Sequence, residues 1–111
     1  MDSQKRRAAL LKVVQPHWDI PDALLDEIAN LPEFSIRYVR KAAKSRSQRY
    51  PREMFDYRKL AHALRESANQ QSNLMLSGEY ELSVFVVGGI LENYMVADAL
   101  ETMAEPSRER R

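Results

Sequence analysis

The pattern of hydrophobic and polar positions is most pronounced in residues 82–103, LSVFVVGGILENYMVADALETM. At about 100° per residue of an α-helix, the apolar residues form two stripes. The longer stripe has the extent of a core face and contains Leu82, Phe85, Val86, Gly89, Ile90, Asn93, Val96, Ala97, Leu100 and Met103. The shorter stripe contains Val84, Val87, Leu91, Tyr94 and Met95. Since a helix with two apolar stripes must bury both of them, we expect the shorter stripe to bind a partner subunit or target protein.

The preceding part of the chain shows helical periodicity interrupted by prolines and capping residues. Ser3 is placed to cap a first helix, which Pro16 closes. Pro21 suits the first turn of a second helix, which Pro32 interrupts. Ser35 is placed to cap a third helix that runs toward residue 50.

The fourth and fifth helices are predicted on either side of a short turn. Pro51 suits the first turn of the fourth helix, which reaches about Leu76. Ser77 and Gly78 make the turn into the fifth. Residues 80–87 also fit a strand, because three of their last four residues are valine. Helix is the preferred assignment, because no other segment supplies a good strand and an isolated hairpin is marginal in water.

These elements predict an all-α fold, a compact bundle of about five helices that ends in a long apolar helix and forms a dimer. A chain of 111 residues has the size of one domain. We therefore expect a single helical domain over residues 1–104. Residues 105–111 are charged and lack a helix cap, so they are expected to form a frayed tail.

Composition indicates a globular protein that stays in the cytoplasm. Apolar residues make up 44% and charged residues 30%, and cysteine is absent, which excludes disulfides and thiolate metal sites. The basic start, MDSQKRRAALLKVVQPHW, lacks the long apolar run of a signal peptide. The apolar run of the last helix ends at Glu92, short of the roughly 20 residues that a membrane span requires.

Charge is unevenly distributed although the net charge is only +1. Residues 1–59 carry 13 Lys or Arg against 8 Asp or Glu, whereas residues 60–111 carry 4 against 8. Such a chain can present a basic face and an acidic face to different neighbours. The acidic second half argues against a dedicated nucleic-acid binder.

The basic residues concentrate on the predicted helix over residues 35–49. Its basic face is formed by Arg37, Arg40, Lys41 and Lys44, opposite Ile36, Val39, Ala42 and Ala43. This face has three interpretations: the solvated side of an amphipathic helix, a surface that docks an acidic protein, or a helix that neutralises DNA phosphates in a helix-turn-helix arrangement.

No group of residues has the composition of a catalytic or cofactor site. The chain offers two histidines, His17 and His62, and His62 with Glu66 makes only two potential metal ligands. Its three glycines match no phosphate-binding fingerprint. We therefore expect a protein without enzymatic activity, catalytic residues, metal or cofactor.

The small residues of the last predicted helix indicate close packing. Gly89, Asn93 and Ala97 are spaced four residues apart, so small side chains would let another helix approach, with Asn93 fixing the pairing by a hydrogen bond. A simple bend, or a helix that starts at Gly89, is the alternative.

Trp18 is expected to fill the edge of the core, although tryptophan is also a favoured interface anchor.

Five helices, no cysteine, near-neutral charge and an over-apolar final helix resemble the small bacterial antiactivators of LuxR-family quorum-sensing receptors, of the type that sequesters LasR. The resemblance lies in size and overall pattern, and it carries over no functional residue. It implies a regulator that binds a LuxR-type receptor, a transcription factor, so that the receptor cannot dimerise on DNA. Phage-encoded host-takeover proteins share these features. The alternative function is a small DNA-binding regulator that uses residues 35–49.

Overall fold

The computed structural model describes residues 3–31, 34–79 and 83–104. These residues form five α-helices and no strand, which confirms the predicted all-α fold. In chain order the helices are α1 (Ser3–Val13), α2 (Asp22–Ala29), α3 (Ile36–Ser47), α4 (Tyr57–Leu76) and α5 (Val84–Ala104).

Polar side chains at the helix starts satisfy backbone amides that lack a partner within the helix. The Ser35 hydroxyl accepts a hydrogen bond from the Tyr38 amide at 3.2 Å, as expected for the start of α3. The Asp56 carboxylate accepts from the amides of Arg58 and Lys59. Helix α4 therefore begins after Asp56, and Pro51 does not occupy its first turn as the sequence predicted.

The turn after α4 forms at the predicted position. Gly78 has a φ of +83°, its amide donates to the Met75 carbonyl, and the Glu79 amide donates to the Leu74 carbonyl at 2.9 Å. This is the Schellman arrangement, which favours glycine because the backbone is left-handed there.

Helix α5 begins later than the turn suggested. The Ser83 hydroxyl accepts from the Val86 amide at 3.2 Å, and residues 84–87 are helical. The strand alternative is therefore excluded for residues 84–87, and residues 80–82 lie outside the described part of the chain.

Helix α5 contributes side chains to both core clusters, and the other helices cover most of its two apolar stripes. Its N-terminal half joins a core cluster with side chains from all four other helices, including Leu10, Leu24 and Met75. Its C-terminal half joins a second cluster with α3 and α4, which includes Ala43 and Ala61. A helix that is apolar on all sides is stable when it is enclosed in this way.

Most of the shorter stripe of α5 is core and not a partner-binding surface. Val87, Leu91 and Tyr94 are at most 1% exposed, which corrects the prediction that these three residues bind a partner. Val84 and Met95 are partly buried against the same clusters, and they do not form a continuous partner-binding stripe with the other three. The physical reason is that side chains from α1, α2 and the loop between them join those of α3 and α4 in the core cluster that contains these residues, with Trp18 stacked on Tyr94.

The longer stripe is only partly the core face that was predicted. Ile90, Val96, Ala97 and Leu100 are buried, as expected. Phe85, in contrast, is 87% exposed, and Met103 is also exposed. Leu82 lies outside the described residues.

The glycines of α5 do not mediate the close helix packing that was predicted. A Cβ atom placed on Gly89 would meet nothing within 4 Å, and one on Gly88 would lie 3.8 Å from Val39, an ordinary contact. The Asn93 side chain accepts a hydrogen bond from Arg46 of α3 at 2.8 Å. The polar group on this helix therefore pairs two helices of the same chain.

None of the five described helices combines the length and the apolar content that a membrane span requires. The predicted tail at residues 105–111 lies outside the described residues.

Substitutions on α5 will distinguish its buried side from its exposed one. Leu91→Asp should abolish folding or nearly so, because it places an unpaired charge in the core. Leu100→Ala should lower the free energy of unfolding by about 2–5 kcal/mol through the cavity it leaves. Met103→Asp is the control at an exposed position of α5 and should change stability by less than about 1 kcal/mol. Urea unfolding followed by circular dichroism measures all three, and a stable Leu91→Asp variant would contradict the burial of this stripe.

Candidate functional site

The basic face of α3 is exposed along its whole length. Arg37, Arg40, Lys41 and Lys44 all point to solvent, whereas Val39 and Ala43 on the opposite side are buried against α5. The predicted amphipathic geometry is therefore present. Among the residues that the structure describes, none of these four cations forms an ion pair.

A fifth cation of α3, Arg46, fastens the helix to α5. It lies 3.2 Å from the Glu92 carboxylate and donates to the Asn93 side chain at 2.8 Å. Burial lowers the pKa of Arg46, but hydrogen bonds with Tyr50 and Glu92 outweigh this effect and raise the pKa above its ordinary value. Helix α3 is therefore held on the core by one cation and presents four others to solvent.

A cleft of about 330 Å³ lies between the end of α1, the inner edge of α3 and the C-terminal half of α5. We call it the α3–α5 cleft. Its apolar surface comes from Val13, Trp18, Ala43, Met95 and Ala99. Arg40 and Lys44 form its rim on α3, and Asp98 lies on the side of α5.

Asp98 joins three separate parts of the chain. One carboxylate oxygen accepts from His17 Nε2 at 2.8 Å and from Arg65 of α4 at 2.7 Å. The other accepts from the Trp18 indole nitrogen at 2.8 Å. Arg65 also pairs with Glu101 at 2.8 Å. The ion pairs of Asp98 are thus with His17 and Arg65, and not with the cations on the opposite rim of the cleft.

The titration behaviour of these groups follows from the same contacts. Burial raises the pKa of Asp98, but hydrogen bonds from Arg65, His17 and Trp18 outweigh burial and lower that pKa below its usual value. The hydrogen bond from Arg65 likewise lowers the pKa of Glu101. Both carboxylates are therefore held in their charged form more firmly than in the unfolded chain.

Trp18 has both a packing and a polar role. It is 6% exposed, which confirms the prediction that it fills the edge of the core, and its ring stacks on Tyr94 with 5.2 Å between centroids. Its indole N–H reaches Asp98, so the loop between α1 and α2 is attached to α5 by stacking and by a hydrogen bond.

The potential metal ligands do not come together. His62 and Glu66 lie 3.7 Å apart on the exposed surface of α4. Within the described residues, no three histidine or carboxylate side chains form a group suited to a metal ion. The pair is therefore a surface contact of adjacent helical turns.

The structure thus divides the predicted site residues. The four cations of α3 share one exposed face, and two of them meet Met95 at the cleft. The other four residues of the predicted stripe lie elsewhere in the core. The role of Asp98 was not anticipated from the sequence, where its one signal was that it is among the three acids of a largely apolar helix, with Glu92 and Glu101.

Replacing Asp98 should weaken the fold in a pH-dependent manner. Asp98→Asn should lower the free energy of unfolding by about 1.5–3 kcal/mol at neutral pH, because hydrogen bonds to a charged group are lost. The folded pKa is lowered, so this stabilisation is complete above the unfolded pKa near 3.9. It is lost as the pH falls through the lower folded value.

Urea unfolding of the wild type and the variant between about pH 3 and 7 measures this difference. Glu66→Gln is the matched control, since it removes the same charge from an exposed pair and should cost less than about 0.5 kcal/mol. Equal effects of the two substitutions would show that Asp98 has no special role.

Comparisons with known proteins supply no relative for this chain. A scan against protein-family models finds no match, and searches of curated proteins and of solved structures find no match either.

Proposed function

We propose that this chain is a non-enzymatic regulatory protein that binds and inhibits a transcription factor by direct protein contact. The observation that carries this proposal is the basic face of α3, which consists of Arg37, Arg40, Lys41 and Lys44. These cations are exposed on a helix whose other side is packed on the core. The surface is thus preorganised, so little ordering is required when an acidic partner docks.

The choice of a transcription factor as the target is supported by the resemblance to LuxR-receptor antiactivators in size and pattern. In such an arrangement the chain occupies a surface that the receptor needs for dimerisation on DNA. The cytoplasm is the compartment in which this binding would take place.

A second candidate function, DNA binding through residues 35–49, rests on the same four cations. A basic stripe on one helix can neutralise phosphates. However, residues 60–111 carry 4 Lys or Arg against 8 Asp or Glu, and this acidic half of the chain is unfavourable for a dedicated DNA-binding protein. The charge distribution therefore favours protein binding.

We also propose that the chain forms a homodimer, through an interface that does not include the buried stripe of α5. The large exposed apolar side chains in the first turns of α3 and α5 are Tyr38 and Phe85. Aromatic side chains that are exposed to this extent are typical anchors of protein interfaces.

The first test measures binding of the chain to a purified, ligand-bound LuxR-family receptor by calorimetry. Reversing all four charges, as Arg37→Glu, Arg40→Glu, Lys41→Glu and Lys44→Glu, should weaken binding at least about tenfold, because like charges then face each other. A control with four reversals elsewhere, at Lys5, Lys12, Arg49 and Lys59, has the same net charge and should bind nearly as tightly as the wild type.

Salt dependence separates the two candidate functions. A complex with DNA loses affinity with a logarithmic slope of about 0.9 per neutralised phosphate, whereas a protein interface with an apolar centre loses less. A nanomolar, sequence-specific gel shift at physiological salt, without receptor binding, would favour the DNA-binding function instead.

The dimer is tested by light scattering of the free protein at micromolar concentration. The wild type should have the mass of two chains, and Phe85→Glu should shift it toward one chain without loss of helicity, because a charge is then placed in a desolvated contact. Leu76→Glu, at another exposed apolar position, is the control and should remain dimeric. A monomeric wild type would remove the dimer from the proposal.

A further inference from the structure

We propose that the α3–α5 cleft is the recognition site for an acidic segment of the protein partner, which places an apolar side chain on the cleft floor and carboxylates against Arg40 and Lys44. This inference rests on the proposed function and deepens it, because it names the part of the basic face that recognises the partner and the chemistry of the segment bound.

The floor of the cleft suits an apolar side chain. Trp18, Met95 and Ala99 line it, and methionine and tryptophan offer adaptable apolar surface. A volume of about 330 Å³ is at the lower end of the roughly 300–1,000 Å³ of ligand pockets. The cleft therefore has room for one or two side chains of a segment that lies across it.

The rim supplies the charge that selects an acidic segment. Arg40 and Lys44 lie one turn apart on α3, about 6 Å along the helix axis. They border the cleft and have no ion pair among the described residues. Two carboxylates at a similar spacing on the partner would match them.

Asp98 is the acid of the cleft, and it pairs with His17, Trp18 and Arg65 and not with Arg40 or Lys44. The cleft therefore has a basic wall on α3, whereas the carboxylate on its α5 side is balanced by Arg65. This asymmetry orients the bound segment, with its carboxylates toward α3.

Arg37 and Lys41 provide an internal control. They lie on the same helix and are also exposed, but they do not line the cleft. Reversal of either pair changes the net charge by the same amount. A difference between the two pairs therefore reports on the cleft and not on long-range attraction.

The probe is a fluorescein-labelled peptide of twelve residues in which pairs of glutamates alternate with pairs of leucines. Two matched peptides replace every leucine by serine or every glutamate by lysine. Binding is measured by anisotropy and, with unlabelled peptide, by the fluorescence of Trp18, which is the one tryptophan of the chain and lies in the cleft.

The wild type should bind the glutamate–leucine peptide with a change in Trp18 fluorescence, and it should bind both matched peptides at least about tenfold more weakly. The double variant Arg40→Glu, Lys44→Glu should lose at least about tenfold in affinity, whereas Arg37→Glu, Lys41→Glu should lose less than about threefold. Ala99→Leu, which fills the floor without changing charge, should weaken binding, and Ala63→Leu on the exposed side of α4 should not.

Equal losses for the two charge-reversal pairs, or equal binding of the serine peptide, would overturn the assignment of the cleft. A duplex DNA oligonucleotide that displaces the acidic peptide and binds more tightly would overturn it as well. A receptor that binds the wild type while no acidic peptide does would reject the cleft and retain the proposed function. Peptide binding in the cleft without receptor binding would support the cleft and count against the proposed function.

Discussion

The enclosure of α5 is the constraint on which the rest of the structure depends. This helix is apolar on nearly every side, and exposing either stripe to water would be unfavourable in proportion to its area. Helices α3 and α4 pack along it, side chains of α1 and α2 share the core cluster of its N-terminal half, and Trp18 packs on Tyr94. The other helices therefore need only one apolar face each, and their opposite faces are left free for charged residues.

Charged side chains attach the surrounding helices, and the loop between α1 and α2, to α5. Asp98 joins the loop between α1 and α2 to both α4 and α5, and Arg46 joins α3 to α5. These contacts are partly buried, so they are less screened by solvent than surface pairs. They use most of the acidic residues on α5, and the four cations of the basic face of α3 form no ion pair in the described part of the chain.

This distribution connects the fold to the proposed function. A basic face on a helix that is fixed to the core can bind an acidic partner without rearrangement. The α3–α5 cleft adds an apolar floor beside two of the cations, and the combination of an apolar anchor with flanking charges is how protein interfaces achieve both affinity and specificity.

The amino-acid sequence by itself determined the helical class, the number of helices, the cap at Ser35, the turn at Gly78 and the solvent-facing side of α3, because these depend on local periodicity and on backbone preferences. It also showed that both apolar stripes of α5 must be buried. Whether the second stripe is buried by another chain or by the same chain depends on contacts between residues far apart in sequence, and helical periodicity does not encode these contacts. Only the tertiary structure decided that Leu91 is core, that Phe85 is exposed and that Asp98 meets Arg65 and Trp18, because each of these follows from how the helices are arranged around α5.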